Sequence, residues 1–195
     1  MYRRVKETLH HMRKTYKVNE IFYSLQGEGY YTGTPAVFLR LCGCNRHCPF
    51  CDTDFATGTD MDADAIVAAI SAYPTRHLVI TGGEPTLQID SDLLRAIKAQ
   101  HFYVQIETNG TNPVPVEVDW VTCSPKEAPW LVDRIDELKV VFQCQDVEEL
   151  AHLLPARHHF LQPLSGSNIP ETVEYIMQHP RWRLSLQTHK LINIR

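Results

Sequence analysis

This sequence predicts an α/β fold: an incomplete, TIM-like (β/α) barrel left open on one side. Three observations carry that prediction. Short apolar runs alternate with amphipathic stretches at helical spacing. Most of the runs end in a polar tip such as Glu107-Thr108-Asn109-Gly110. The chain has 195 residues, fewer than the roughly 250 that eight such units need. Strands alternating with helices form right-handed parallel units, whose ligands gather at the carboxyl ends of the strands.

Residues 1–15 are basic, with Arg3, Arg4, Lys6, Arg13 and Lys14 against Glu7. They read as a solvated or loosely docked N-terminal extension ahead of a single domain over 16–195. From Val18 the apolar positions Ile21, Phe22 and Leu25 lead into Gln26-Gly27-Glu28-Gly29, where glycines let the backbone approach a ligand closely. A second strand over 36–41 carries Arg40, whose planar guanidinium suits a carboxylate. An amphipathic helix is predicted over 61–72, ended near Pro74.

The buried run 77–81 feeds Gly82-Gly83-Glu84-Pro85, and a helix over 91–100 follows. Strands over 102–107 and 120–123 end in polar tips, the second in Ser124-Pro125-Lys126. Strand 138–142, helix 146–154, strand 159–161, helix 170–179 and strand 183–186 complete the alternation, followed by a short tail.

Composition is that of an ordinary globular protein, 44% hydrophobic and 22% charged. A net charge of −4 argues against a general nucleic-acid binder. No apolar run approaches the ~20 residues that span a bilayer, and no signal-peptide pattern opens the chain, so a cytoplasmic protein with no membrane partner is expected. The 6 cysteines do not resemble a secreted disulfide framework, because three of them cluster.

That cluster, Cys44, Cys48 and Cys51, lies in the loop after the Arg40 strand. A [4Fe-4S] cube normally takes four thiolates, so three leave one iron open to something other than protein. Three cysteines with His47 or Cys42 also suit a structural zinc, although no second C-x2-C occurs in the chain. Thr53 offers a hydroxyl to a hard cation such as Mg2+, but capping a local turn is the commoner role.

The spacing C-x3-C-x2-C with Phe50 before the last cysteine resembles that of the radical S-adenosylmethionine enzymes, and Gly82-Gly83-Glu84-Pro85 resembles their second motif. In that superfamily S-adenosylmethionine chelates the open iron, and an electron from the cluster cleaves it to a 5′-deoxyadenosyl radical. Residues 22–29, 33–41 and 43–53 together resemble one family within it, the 7-carboxy-7-deazaguanine synthases of queuosine and deazapurine biosynthesis. The resemblance implies an incomplete barrel of the radical SAM type and a carbon-nitrogen lyase. It would contract 6-carboxy-5,6,7,8-tetrahydropterin to 7-carboxy-7-deazaguanine with loss of ammonia.

Carried onto this chain, the resemblance gives Cys44, Cys48 and Cys51 the cluster and Thr53 the Mg2+. It gives S-adenosyl-L-methionine to Gly83, Glu84, Ser124, Pro125 and Lys126, with Phe50 and Asp52 on the adenine side. Leu25, Gln26, Gly27, Arg40 and Thr81 would hold the pterin, Arg40 meeting its carboxylate. The resemblance further implies a homodimer and a reductant such as flavodoxin, with no direct nucleic-acid partner. His189 and Lys190 are weaker candidates for substrate contact or proton transfer. A small activase that places a glycyl radical on a partner protein shares the cysteine spacing, but it has no expected use for Gln26, Glu28, Arg40 and Thr53.

Overall fold

The computed structural model describes residues 14–195, so most of the basic extension lies outside the described residues. Its nine strands are β1 (Thr15–Leu25), β2 (Pro35–Leu41), β3 (Thr59–Asp62), β4 (His77–Gly82), β5 (Tyr103–Thr108), β6 (Trp120–Cys123), β7 (Glu137–Phe142), β8 (His158–Pro163) and β9 (Arg183–Leu184). They form one sheet in the order β3-β1-β2-β4-β5-β6-β7-β8-β9. From β2 to β9 all neighbours are parallel. By contrast β1 runs antiparallel to both β2 and β3. The five α-helices among the described residues are α1 (Ala63–Ser71), α2 (Ser91–Lys98), α3 (Val147–Leu153), α4 (Ile169–Gln178) and α5 (Thr188–Leu191).

Three aspartates start helices where the sequence changes period. Asp62, Asp90 and Asp146 accept from the amides of Ala65, Leu93 and Glu149 at 2.8, 2.9 and 2.9 Å, which satisfies donors that the first helical turn leaves orphaned. The cap at Asp62 also moves one boundary. The helix predicted from Met61 begins at Ala63, because Met61 and Asp62 pair with Tyr16 and Thr15 as the end of β3.

Strict alternation breaks twice, since no helix separates β5 from β6 or β6 from β7. Pro113 and Pro115 after the left-handed Gly110 (φ 81°), and Pro125 and Pro129 further on, deny those segments helical hydrogen bonds. The last strand is two residues rather than four, and the expected tail folds into α5.

Strand periodicity separates two environments. Leu39, Leu78, Ile80, Val104 and Ile106 face outward into a core shared with α1 and α2 residues such as Ile66, Ile70 and Leu93. Leu138, Val140 and Leu161 do the same with Val147 and Ala151 of α3. The intervening residues point inward, and many are polar yet buried: Gln105, Thr122, Glu137, Lys139 and Gln162. The concave side of the sheet is therefore a lined interior.

Candidate active site

The cluster loop leaves β2 and is fastened to its neighbours by backbone. The amides of Gly83 and Glu84 donate to the carbonyls of Leu41 and Gly43 at 3.3 and 2.9 Å, so the Gly-Gly-Glu-Pro turn lies directly against the cysteine loop. A Cβ at Gly83 would stand 2.1 Å from the Gly43 carbonyl oxygen and 2.8 Å from Cys44 Cβ. Only glycine allows that approach. Asn45 accepts from Asn109 Nδ2 at 2.9 Å and donates to Thr111 Oγ1 at 2.8 Å, tying the loop to the tip of β5.

Cys44, Cys48 and Cys51 border one cavity of about 320 Å3, within the usual size of small-molecule sites. Burial pushes the Cys44 thiol up, opposed by the Arg46 amide that donates to its sulfur at 3.4 Å. Cys42 turns away: it is buried, and its thiol donates to the Thr57 carbonyl at 3.1 Å. Three thiols with one neighbour withheld fit a [4Fe-4S] cluster with an open iron. Among the described residues no three His, Cys, Asp or Glu side chains converge as around a single ion.

The same cavity is bordered by Leu25, Gln26, Gly27, Arg40, Phe50, Asp52, Thr53, Thr81, Gly83, Ser124 and Lys126, which brings most of the sequence-predicted residues together. Two stand apart from the lining. Pro125 is buried behind the tip of β6. Glu84 is 0% exposed, and its carboxylate accepts from Thr86 N, Thr86 Oγ1, Thr108 Oγ1 and Asn109 N at 2.5–3.1 Å. Its charge braces the turn and the tip of β5, while Gly83 faces the cavity. Lys126 donates to the Ser124 hydroxyl at 2.9 Å, and burial lowers its pKa. Arg40 Nε donates to Glu20 at 2.8 Å.

The Gln-Gly-Glu-Gly motif reaches this cavity from the unexpected end. Because β1 is antiparallel, Leu25 pairs with Pro35 at the amino-terminal end of the parallel strands, and the loop folds back into the barrel. Gln26, Gly27 and Glu28 then form the floor with Glu107 and Lys139. Lys139, only 4% exposed, donates to Glu28 at 2.6 Å and Glu107 at 2.8 Å. Burial opposes its charge, but the two carboxylates outweigh it and raise its pKa. Burial likewise pushes Glu28 up, yet Lys139 outweighs it and holds Glu28 below the usual range; Glu107 is pushed up by burial.

The tail closes the open side. Thr188 donates to the Gly27 carbonyl through its amide at 2.9 Å, and Lys190 pairs with Asp52 at 2.5 Å. A Cβ at Gly27 would lie 2.0 Å from His189 Nδ1, so glycine here admits the imidazole to the cavity. Burial lowers the His189 pKa and favours its neutral form. Hydrogen bonds from Lys190 and Gln187 outweigh burial at Asp52 and hold that carboxyl low.

Comparison with known proteins agrees with this geometry. The Radical SAM superfamily model matches residues 39–135. A 7-carboxy-7-deazaguanine synthase of Bacteroides thetaiotaomicron is 57% identical over 180 residues, covering 92% of this chain and 98% of that protein. The chain belongs to the 7-carboxy-7-deazaguanine synthase family. Another member, from Bordetella pertussis, is 47% identical over 92% of this chain and 99% of its own length. The crystal structure of QueE from Escherichia coli superposes with a TM-score of 0.78 at 33% identity, over 90% of this chain and 95% of that one. The expected incomplete barrel of the radical SAM type is thereby borne out, and the chain is a radical SAM enzyme with a [4Fe-4S] cluster and S-adenosylmethionine as the family's cofactors.

Three residues in or beside this cavity carried no role in the sequence alone. Glu107 sat in a polar tip without an assigned partner. Lys139 and Glu137 lie two apart on one strand with apolar Leu138 between them, a pattern that usually marks a solvated face.

Proposed function

We propose that this chain contracts 6-carboxy-5,6,7,8-tetrahydropterin to 7-carboxy-7-deazaguanine with release of ammonia, serving queuosine or related deazapurine synthesis. One observation carries the reading: a single cavity joins three cluster thiols at its rim, Arg40 on its wall and the Gln26–Glu107–Lys139 network on its floor. The floor offers carboxylate and amide acceptors to the N–H groups of a pterin ring, and the Lys139 ammonium complements its carbonyl oxygen. Arg40 is free to swing its fork from Glu20 to a substrate carboxylate, since that pair is partly exposed and weak.

The cluster, when bound by Cys44, Cys48 and Cys51, supplies the electron that cleaves the sulfonium of S-adenosylmethionine. Gly83 brings backbone within reach of the cofactor, and Ser124 and Lys126 offer donors to its ribose or carboxylate. Phe50 and Asp52 would border its adenine. Thr53 lines the cavity and supplies one hard oxygen, which suits an Mg2+ completed by substrate carboxylate and waters. His189, neutral and beside Gly27, is placed to move a proton. Water exclusion and orientation are the protein's share of such chemistry. Residues 16–195 act as one catalytic domain, working in the cytoplasm as a homodimer reduced by a flavodoxin-like donor.

The test is anaerobic reconstitution followed by incubation with S-adenosylmethionine, reductant, Mg2+ and the carboxytetrahydropterin. Formation of 7-carboxy-7-deazaguanine is the expected result. Cofactor cleavage without that product overturns the assignment.

A further inference from the structure

The floor of the cavity is made by a loop held from two sides, and from within Lys139 and Gln187 donate to Glu28 at 2.6 and 2.9 Å while Gln26 donates to Glu107 at 3.2 Å. Residues 26–34 close on themselves, Gln26 N donating to the Thr34 carbonyl and Gly33 N to the Gln26 carbonyl, both at 2.8 Å. That closure fixes the loop's own shape but not its depth in the barrel.

From the outer side its depth is set at the turn. The Gly29 amide donates to Ser185 Oγ at 2.9 Å. The Tyr30 amide donates to Glu137 Oε2 at 3.1 Å, and the same oxygen accepts from Trp120 Nε1 at 3.3 Å. Gly29 has φ 66° and lies so close to Glu137 that a Cβ would stand 1.8 Å from its Oε1. Beyond the turn, the Tyr30 ring rests on Trp120 and His158, with centroids 4.8 and 4.5 Å away, and the Tyr31 hydroxyl meets that of Tyr103 at 2.8 Å.

Glu137 is only 1% exposed and does not border the cavity. It therefore touches no substrate and acts indirectly, through the loop it holds and through the charge it sets beside Lys139. We propose that Glu137 is a positioning residue of this enzyme: from the far end of the barrel it clamps the Gly29–Tyr30 turn and so sets Gln26 and Glu28 at the depth where they meet the substrate ring. A carboxylate suits the task because one oxygen can receive two converging N–H groups while the other fills the space a side chain at position 29 would need. The substrate named in the test rests on the proposed function above.

The decisive comparison is Glu137→Ala against Glu137→Gln in the reconstituted holoenzyme. Glu137→Ala removes the acceptor from the Tyr30 and Trp120 donors, so the correctly placed loop becomes a minority state and the apparent affinity falls with its population. The expected result is a KM for carboxytetrahydropterin raised about tenfold or more. The KM for S-adenosylmethionine and its substrate-free cleavage should stay at the wild-type value, and amide hydrogen exchange over residues 26–34 should accelerate. Glu137→Gln keeps an acceptor oxygen and should restore most of the substrate affinity.

A wild-type substrate KM in Glu137→Ala overturns the inference, as does an equal rise in both KM values, which marks a merely structural role. Should Glu137→Ala fail to fold, Gly29→Ala carries the test, since its Cβ collides with the Glu137 carboxylate and unseats the turn from it while keeping the glutamate in the sequence. The same split between the two KM values supports the clamp, and its absence overturns it. A wild-type enzyme silent toward the pterin refutes the proposed function instead, and loop exchange in the variants then decides the clamp by itself.

Discussion

Replacing Lys139 by methionine keeps most of its volume and removes the cation held between two carboxylates. Its ammonium donates to Glu28 at 2.6 Å and to Glu107 at 2.8 Å, with the lysine side chain 6% exposed and each glutamate 18%. Gln187 still donates to Glu28 at 2.9 Å, and Gln26 and Gln105 still donate to Glu107 at 3.2 Å, but neutral amides do not cancel a buried charge. Breaking a buried pair from one side costs about 3–5 kcal/mol. For a chain of 195 residues that is a fall in Tm of roughly 6–20 °C at ~2–4 °C per kcal/mol.

The double variant Lys139→Met/Glu107→Gln removes one of the stranded charges and should recover a substantial part of the loss, a coupling that a double-mutant cycle isolates. Calorimetry or circular dichroism of the substrate-free protein reads both. If Lys139→Met melts within ~2 °C of wild type, or the second substitution adds to the loss, the floor is not an ion cluster and the account of the cavity is wrong.

Arg40→Ala should abolish product formation while the brown cluster and substrate-free cofactor cleavage persist, with less than about 1 kcal/mol lost in stability because the Glu20 pair is partly exposed. Arg40→Lys should not rescue it, as an ammonium lacks the planar fork; loss of the cluster in Arg40→Ala refutes the assignment. Glu84→Ala strips the acceptor from Thr86, Thr108 and Asn109 and should cost about 3 kcal/mol or more, with weakened S-adenosylmethionine binding by equilibrium dialysis. Unchanged stability there would mean that the brace is dispensable.

Burial raises the Glu137 carboxyl from 4.5 to about 7, so between those values the folded protein keeps a proton that the unfolded chain has released. The stabilising contribution is full below pH 4.5 and lost as pH rises through about 7, on the order of 3 kcal/mol in all. Glu137→Gln should flatten that part of the stability–pH curve relative to wild type, and parallel curves contradict the shift.

Cys44, Cys48, Cys51 and Gly82-Gly83-Glu84-Pro85 could be found without coordinates, because each motif is local: a few consecutive residues dictate both the turn and the chemistry it presents. The strand tips at Glu107–Asn109 and Ser124–Lys126 were visible for the same reason, each following an apolar run whose direction the alternation implied. Glu84 was visible as a residue but not in its orientation, since its acceptors are spent on Thr108 and Asn109, two dozen residues away.

The buried ions and the loop that forms the floor were beyond such reading. In β7 the order Glu137-Leu138-Lys139-Val140 alternates polar and apolar, and a period of two says that the faces differ without saying which one meets water. In an ordinary sheet the charged face is solvated; here curvature turns it inward, where Lys139 meets Glu28 from 111 residues away. The antiparallel course of β1, set by pairing with β2 and β3, likewise decides that Gln26 and Glu28 enter from below. Local chemistry can be spelled out by neighbours along the chain, but which side of a strand is inside exists only once the sheet has curved around it.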